Sequence, residues 1–481
     1  MDLYIHCEET KHVLVILSVL ISASYGQAVE VKGGPACDIT QREDTLTVNC
    51  SRRDIDSIPT WPEQINNIEQ VHDVVITFFN NSISFVTELG SVPGSHVAIS
   101  FKSNAIDNID EDAFSNVPRM LYLDLSNNLI TGEVLRSEIF HGPYKNDVYD
   151  SIALETLNLG FNQIHSLDRY LFQYTPNLTR LYLNNNPIEL LDHVTVLALS
   201  SAVNLEVLDL SKTDIDTIPL DAFRGLLNLQ HIDLSDNRFT TVPESLSLVG
   251  STLKYLTFNK NPIVKLDDDS FIGLNNLIEL EVAENDYLEE VTRSTFSPLR
   301  NLRILHLCHN ENLRYISHNA FRGLKDKWTL KEIYLDDNNL SELSPDLMPW
   351  NKLEILGMTG NNWLCNCDLA NIITTQGAGS KFKPSEIPYC AAPMKLAGSL
   401  ITNITVSFCP AFDKTFTSNR GFSLGNLSPR HVIWSILGVA FIALIGMMLG
   451  MLVKGIKTVY VKRIKNQSIR YVNLKEDAIN A

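Results

Sequence analysis

The sequence predicts a solenoid of strand-and-turn repeats, closed at each end by a cysteine-bearing cap and followed by one transmembrane helix. Three observations predict it. A motif recurs twelve times with a usual step of about 24 residues, cysteines cluster at both ends of the array, and Val432 to Val453 is 22 residues without a charge.

The repeat decides the fold. Its clearest copies run from Leu154 to Ile164, Leu178 to Ile188 and Leu229 to Phe239. Apolar residues at the fourth and sixth positions, such as Leu157/Leu159 and Leu181/Leu183, alternate as in a short strand with one buried face. The ninth position falls at Asn81, Asn104, Asn128, Asn162, Asn186, Thr213, Asn237, Asn261, Asn285, Asn310, Asn338 and Asn361. An amide there can pair with backbone groups that a turn leaves without ladder partners. Phe114, Phe172, Phe223, Phe271 and Phe296 each sit six residues before the next copy, and Phe321 sits nine before Leu330, consistent with an aromatic spine behind the strands. No single copy can enclose this apolar set, so neighbours must stack.

These residues resemble the leucine-rich repeat, and from Cys37 to Cys409 the chain resembles extracellular leucine-rich-repeat receptors and adhesion proteins. The resemblance implies an α/β solenoid with a curved parallel sheet on its concave face and an irregular or short-helical convex side. Twelve repeats then occupy residues 59–360, between an N-terminal cap over 27–58 and a C-terminal cap over 361–410. By itself the spacing of Cys365, Cys367, Cys390 and Cys409 allows three pairings, or a four-cysteine zinc site. The resemblance implies Cys365 to Cys390 and Cys367 to Cys409. Cys37 and Cys50 flank an alternating segment similar to the family's N-terminal cap, with two cysteines where four are common.

Two flanks give the topology. The apolar run Val13 to Ala23, ending in Ser24-Tyr25-Gly26, reads as a signal peptide over 1–26, although Glu8 and Glu9 are atypical of one. Residues 432–453 are long enough to cross a bilayer as a helix, after a stalk over 411–431. A basic tail over 454–481 follows, with Lys454, Lys457, Lys462, Arg463 and Lys465 on the side expected to be cytoplasmic. The expected location is therefore the plasma membrane, single-pass type I, with the N-terminus outside. Gly446 and Gly450 have a spacing that lets two such helices approach, so a homodimer is one option. Tyr471 and Leu474 form a sorting-type motif that also resembles a phosphotyrosine docking site.

The chain has 39 basic and 56 acidic residues, a net charge of −17 that argues against nucleic-acid binding. No nucleophile elbow, P-loop, dinucleotide fingerprint or His-Glu-x-x-His motif occurs, and an enzyme is not expected. Positions three, five, seven and eight of each repeat line the concave face. There the candidate ligand residues are Tyr182, Asp209, Asp233, Tyr255, Glu279, Glu281, Glu284, His306, Tyr334 and Asp336, acidic points among aromatic anchors that suit a basic protein surface. Cys308, at a seventh position, is the odd cysteine once Cys7 leaves with the leader. With His306, His309, Glu279, Glu281, Glu284 and Glu332 it makes a set of the kind that binds zinc or copper. Solvated concave residues account for the same set, so no metal or cofactor is assigned; an intermolecular disulfide is the other option. An insertion over Thr131 to Ala153 is either a binding-face loop or a disordered spacer. Glycosylation sequons stand at Asn80, Asn177, Asn339 and Asn403, with poorer ones at Asn49 and Asn426.

The function these features favour is a cell-surface recognition or adhesion protein that binds an extracellular protein on its concave face. Two alternatives stay open: an innate-immune or decoy receptor without its own signalling domain, and a lateral co-receptor of another membrane protein.

Overall fold

In this computed structural model, residues 29–31, 37–59, 71–404 and Cys409 are described. Fifteen strands form one continuous sheet. Three belong to the N-terminal cap: β1 (Val29–Val31), β2 (Asp38–Arg42) and β3 (Thr45–Asn49), paired antiparallel in that order. The twelve repeats then contribute one strand each, all parallel to β3. These are β4 (Asp73–Thr77), β5 (His96–Ser100), β6 (Met120–Asp124), β7 (Thr156–Asn158), β8 (Arg180–Tyr182) and β9 (Val207–Asp209). Next come β10 (His231–Asp233), β11 (Tyr255–Thr257), β12 (Glu279–Glu281), β13 (Ile304–His306), β14 (Glu332–Tyr334) and β15 (Ile355–Gly357).

The expected alternation is clearest in the middle of the array. In β8 to β13 the central residue is buried and its two neighbours are partly open, so Leu181, Leu208, Ile232, Leu256, Leu280 and Leu305 form one inward column. The ninth-position amides do more than cap their own turns. Asn237 Nδ2 donates to Leu234 O at 3.0 Å and to Leu210 O of the preceding repeat at 2.8 Å, while its Oδ1 accepts from Ile215 N at 3.0 Å. Asn128, Asn162, Asn186 and Asn338 repeat the double donation, so a buried ladder of amides ties each turn to the one before it. Thr213 keeps the donation, from Oγ1 to Leu210 O at 2.7 Å. All six spine phenylalanines are buried; Phe271, Phe296 and Phe321 stack in sequence, and Phe140 of the insertion stacks on Phe114.

Both caps close as the resemblance implied. Cys37 bonds Cys50 across the mouth of the β2–β3 hairpin, Cys365 bonds Cys390, and Cys367 bonds Cys409. Trp363 is fully buried beneath the C-terminal cap, its Nε1 donating to Met358 O at 2.8 Å.

Two expectations need correction. The insertion is neither disordered nor on the concave face. His141–Lys145 and Val148–Ser151 form a hairpin whose turn residues, Asn146 and Asp147, both have positive φ, as a tight two-residue connection requires. It packs on turns behind the sheet, where His141 meets Asp112 at 3.3 Å and Ile152 N donates to Tyr174 O. Cys308 is not a spare thiol: it is disulfide-bonded, fully buried, and packed against Ala283 and Tyr334. Its neighbours in the seventh-position row are Ala283 and Asp336, and the Tyr334 side chain of the fifth-position row packs against it.

Among the described residues no helix is long and apolar enough to cross a membrane. The predicted leader (1–26), stalk (411–431), span (432–453) and tail (454–481), with Tyr471 and Leu474, lie outside the described residues.

Candidate ligand-binding face

Parallel in-register pairing turns each repeat position into a row across the sheet, with strands about 4.8 Å apart. At the fifth position, Tyr182, Asp209, Asp233, Thr257, Glu281, His306 and Tyr334 follow one another on strands β8 to β14. The third-position row beside it reads Arg180, Val207, His231, Tyr255, Glu279, Ile304 and Glu332. Of the ten concave candidates, the structure thus brings Tyr182, Asp209, Asp233, Tyr255, Glu279 and Glu281 together around one shallow hollow of about 90 Å³.

Local sequence holds the carboxylates in place. Asp209 Oδ1 accepts from Ser211 N at 2.9 Å and Ser211 Oγ at 2.7 Å, and Asp233 Oδ1 accepts from Ser235 N at 2.8 Å. Asp124 and Ser126 repeat this Asp-Leu-Ser geometry. The motif is legible in the sequence as three copies of Asp-Leu-Ser, and it marks carboxylates whose rotamers are set by the following turn. Glu281 Oε2 accepts from Asn259 Nδ2 at 3.2 Å.

Burial dominates the electrostatics. It pushes the Asp209 carboxyl up to about 7, with the Asp233 charge adding to it and the Ser211 hydrogen bonds opposing. Burial also raises Asp233 against the Ser235 bonds, and raises Glu281 against the pull of His306 and Asn259. Asp336 is raised by burial although Thr359 donates to it twice. Desolvation likewise raises the Tyr182 phenol. The face therefore stores unneutralised acidity, which a cationic partner would relieve.

The remaining candidates sit differently. Tyr334 is 8 % exposed, stacked on His306 and hydrogen-bonded to Glu332, with Lys383 of the C-terminal cap 5.8 Å over its ring. It is a buried spacer rather than an open anchor, because the cap folds back over this end of the sheet. Glu284 is paired with Lys260 at 3.0 Å. His231, which stacks on Tyr255 at 4.1 Å, joins the hollow although the sequence reading did not single it out. The four sequon asparagines Asn80, Asn177, Asn339 and Asn403 are all exposed.

Comparison with known proteins finds the same repeat. The profile described as leucine rich repeat matches residues 203–251 and 251–311, and that described as leucine rich repeats (2 copies) matches 152–195. The chain carries leucine-rich repeats. The matched leucine-rich repeats are those of strands β7 to β13, which also hold the acidic hollow. Chicken (Gallus gallus) Tsukushi is 28 % identical over 296 residues, covering 55 % of this chain and 77 % of that protein. Human (Homo sapiens) lumican is 28 % identical over 282 residues, covering 54 % and 80 %. Among solved structures, human 5T4 (Wnt-activated inhibitory factor 1, trophoblast glycoprotein) is 22 % identical with a TM-score of 0.40, covering 50 % of this chain and 89 % of that one.

Proposed function

We propose that this leucine-rich-repeat chain is a cell-surface recognition protein that binds a basic extracellular protein in the hollow of its concave face. The observation that carries this reading is the pair of carboxylates Asp209 and Asp233, in register on adjacent strands and flanked by Tyr182 and Tyr255. Holding two half-buried carboxylates side by side is costly. A partner that inserts Lys or Arg between the two tyrosine rings would gain charge-assisted hydrogen bonds and aromatic contact in the same place. The disulfides of the two caps support folding in an oxidising compartment. Anchorage through residues 432–453, with the basic tail inside, belongs to the same proposal.

The test displays the full chain on cells and screens it against soluble extracellular proteins. A true partner should lose about 10–100-fold in affinity to the Asp209→Asn/Asp233→Asn double variant, and its binding should weaken with salt. Binding that is indifferent to both would sink the reading. Resistance of the wild-type chain to alkaline extraction from membranes tests the anchor separately.

A further inference from the structure

The geometry points to a zinc site on the concave face, formed by Glu279 and Glu281 of β12 and His306 of β13. Two residues apart on one strand, the glutamates project to the same side, and the register places His306 directly opposite Glu281. One ligand atom from each residue lies within 4.8 Å of the other two, and His306 Nε2 stands 3.3 Å from Glu279 Oε1. Zinc bonds of about 2.1 Å set tetrahedral donors about 3.4 Å apart, so small side-chain rotations would close the triad on an ion.

The three groups are also held, half-buried, in a way that favours an ion. The imidazole is clamped flat on Tyr334, with ring centres 4.7 Å apart and planes 5° from parallel. Asn259 holds Glu281 Oε2 and leaves the other oxygen free to ligate. Among the described residues neither glutamate pairs with a Lys or Arg, and His306 Nδ1 is buried without a hydrogen-bond partner. Two carboxylates facing one imidazole therefore lack a full complement of positive charge, which a divalent ion supplies. Nitrogen among the donors selects zinc over calcium or magnesium, which require oxygen shells. The structure also trims the wider cluster suggested by the sequence. Cys308 is consumed in a disulfide, His309 pairs with Asp337, Glu284 with Lys260, and Glu332 accepts from Tyr334. Three donors leave a fourth position for water or a partner's side chain.

A second triad, His72, Asp73 and His96, serves as the internal control: it is more exposed, and both rings already engage the single carboxylate at 3.0 Å. The zinc site shares Glu279 and Glu281 with the hollow but not Asp209 and Asp233, so metal binding and the double-variant test of protein binding can fail separately. The test is equilibrium dialysis of the purified full chain against zinc chloride, with cobalt(II) absorption as a second readout. One saturable zinc should bind per chain, weakened at least about tenfold by Glu281→Gln and by His306→Gln and unchanged by Asp73→Asn. The isosteric Glu281→Gln change, checked by thermal unfolding in EDTA, guards against a variant that simply fails to fold. Absence of saturable binding, binding that survives both variants, or binding lost only on Asp73→Asn would overturn the proposal.

Discussion

At the eighth position of every repeat the backbone is left-handed, with φ between 53° and 65° from Asn80 through Phe161 and Lys260 to Gly360. Several of these residues are Asn, Asp or Gly, which tolerate that conformation, but Phe161 does not and is half exposed. Phe161→Gly should therefore raise stability by about 1 kcal/mol, seen as a higher melting temperature. The reverse holds at Gly360, where an added Cβ would fall 1.8 Å from Asp337 Oδ1. Gly360→Ala should lower stability by about 1–3 kcal/mol in the same assay. Asp209 gives a pH prediction. The groups facing it are Arg180 and Tyr182 on one side and His231 and Asp233 on the other. Its native pKa, raised to about 7, exceeds the unfolded value of about 3.9, so the native state holds the extra proton between those limits. Its contribution is full below about pH 4 and is lost as pH rises toward 7. Asp209→Asn keeps an acceptor for Ser211 and should melt higher than wild type at pH 7.5, by about 1–2 kcal/mol of stability, with no gain at pH 4. A melting curve that responds equally at both pH values would remove burial as the cause.

The repeat unit is stabilised by its ninth residue as much as by its strand. Asn237 satisfies two carbonyls and accepts from Ile215 N and Thr213 N, so Asn237→Ala leaves several buried groups unpaired. Its cost should be about 2–4 kcal/mol in chemical unfolding. Asn237→Thr, which copies Thr213, should cost less because the hydroxyl retains the donation to the carbonyl three residues back. The strands and the turn-capping role of the ninth-position amides were legible in the sequence, since both follow from a short period and local chemistry; the bonds to the preceding repeat came with the stack. The hairpin over His141–Ser151 was not. Its strands carry Gly142 and Pro143 and no apolar alternation, and they hold shape through His141 stacked on Tyr149 and paired with Asp112, contacts between segments distant in sequence.

Across the whole molecule, the stack is only as stable as its ends. The Cys367–Cys409 bond closes 42 residues, and on the loop-entropy estimate its loss costs about 4 kcal/mol, against about 3 for the 13-residue Cys37–Cys50 loop. A Cys367→Ser/Cys409→Ser double variant should unfold from the C-terminal repeats first, with faster amide exchange at β14 and β15 than at β8. Uniform loss of protection would instead mean that the repeats unfold as a single unit. The net charge of −17 is likewise a property of the whole that the fold distributes, setting Asp209 and Asp233 side by side on adjacent strands.

By itself, the sequence determined the repeat, its period, the twelve repeat strands, the cysteine caps and the acidic character of one face, because each rests on side-chain type at fixed spacing. Only the tertiary structure decided which of those acidic and aromatic residues work together. Rows across the sheet join residues about 24 positions apart, and their burial depends on what packs above them. That is why Tyr334 closed under the cap while His231 joined the hollow, why Cys308 was withdrawn into the core, and why His306 met two glutamates rather than the larger cluster the sequence had assembled around it.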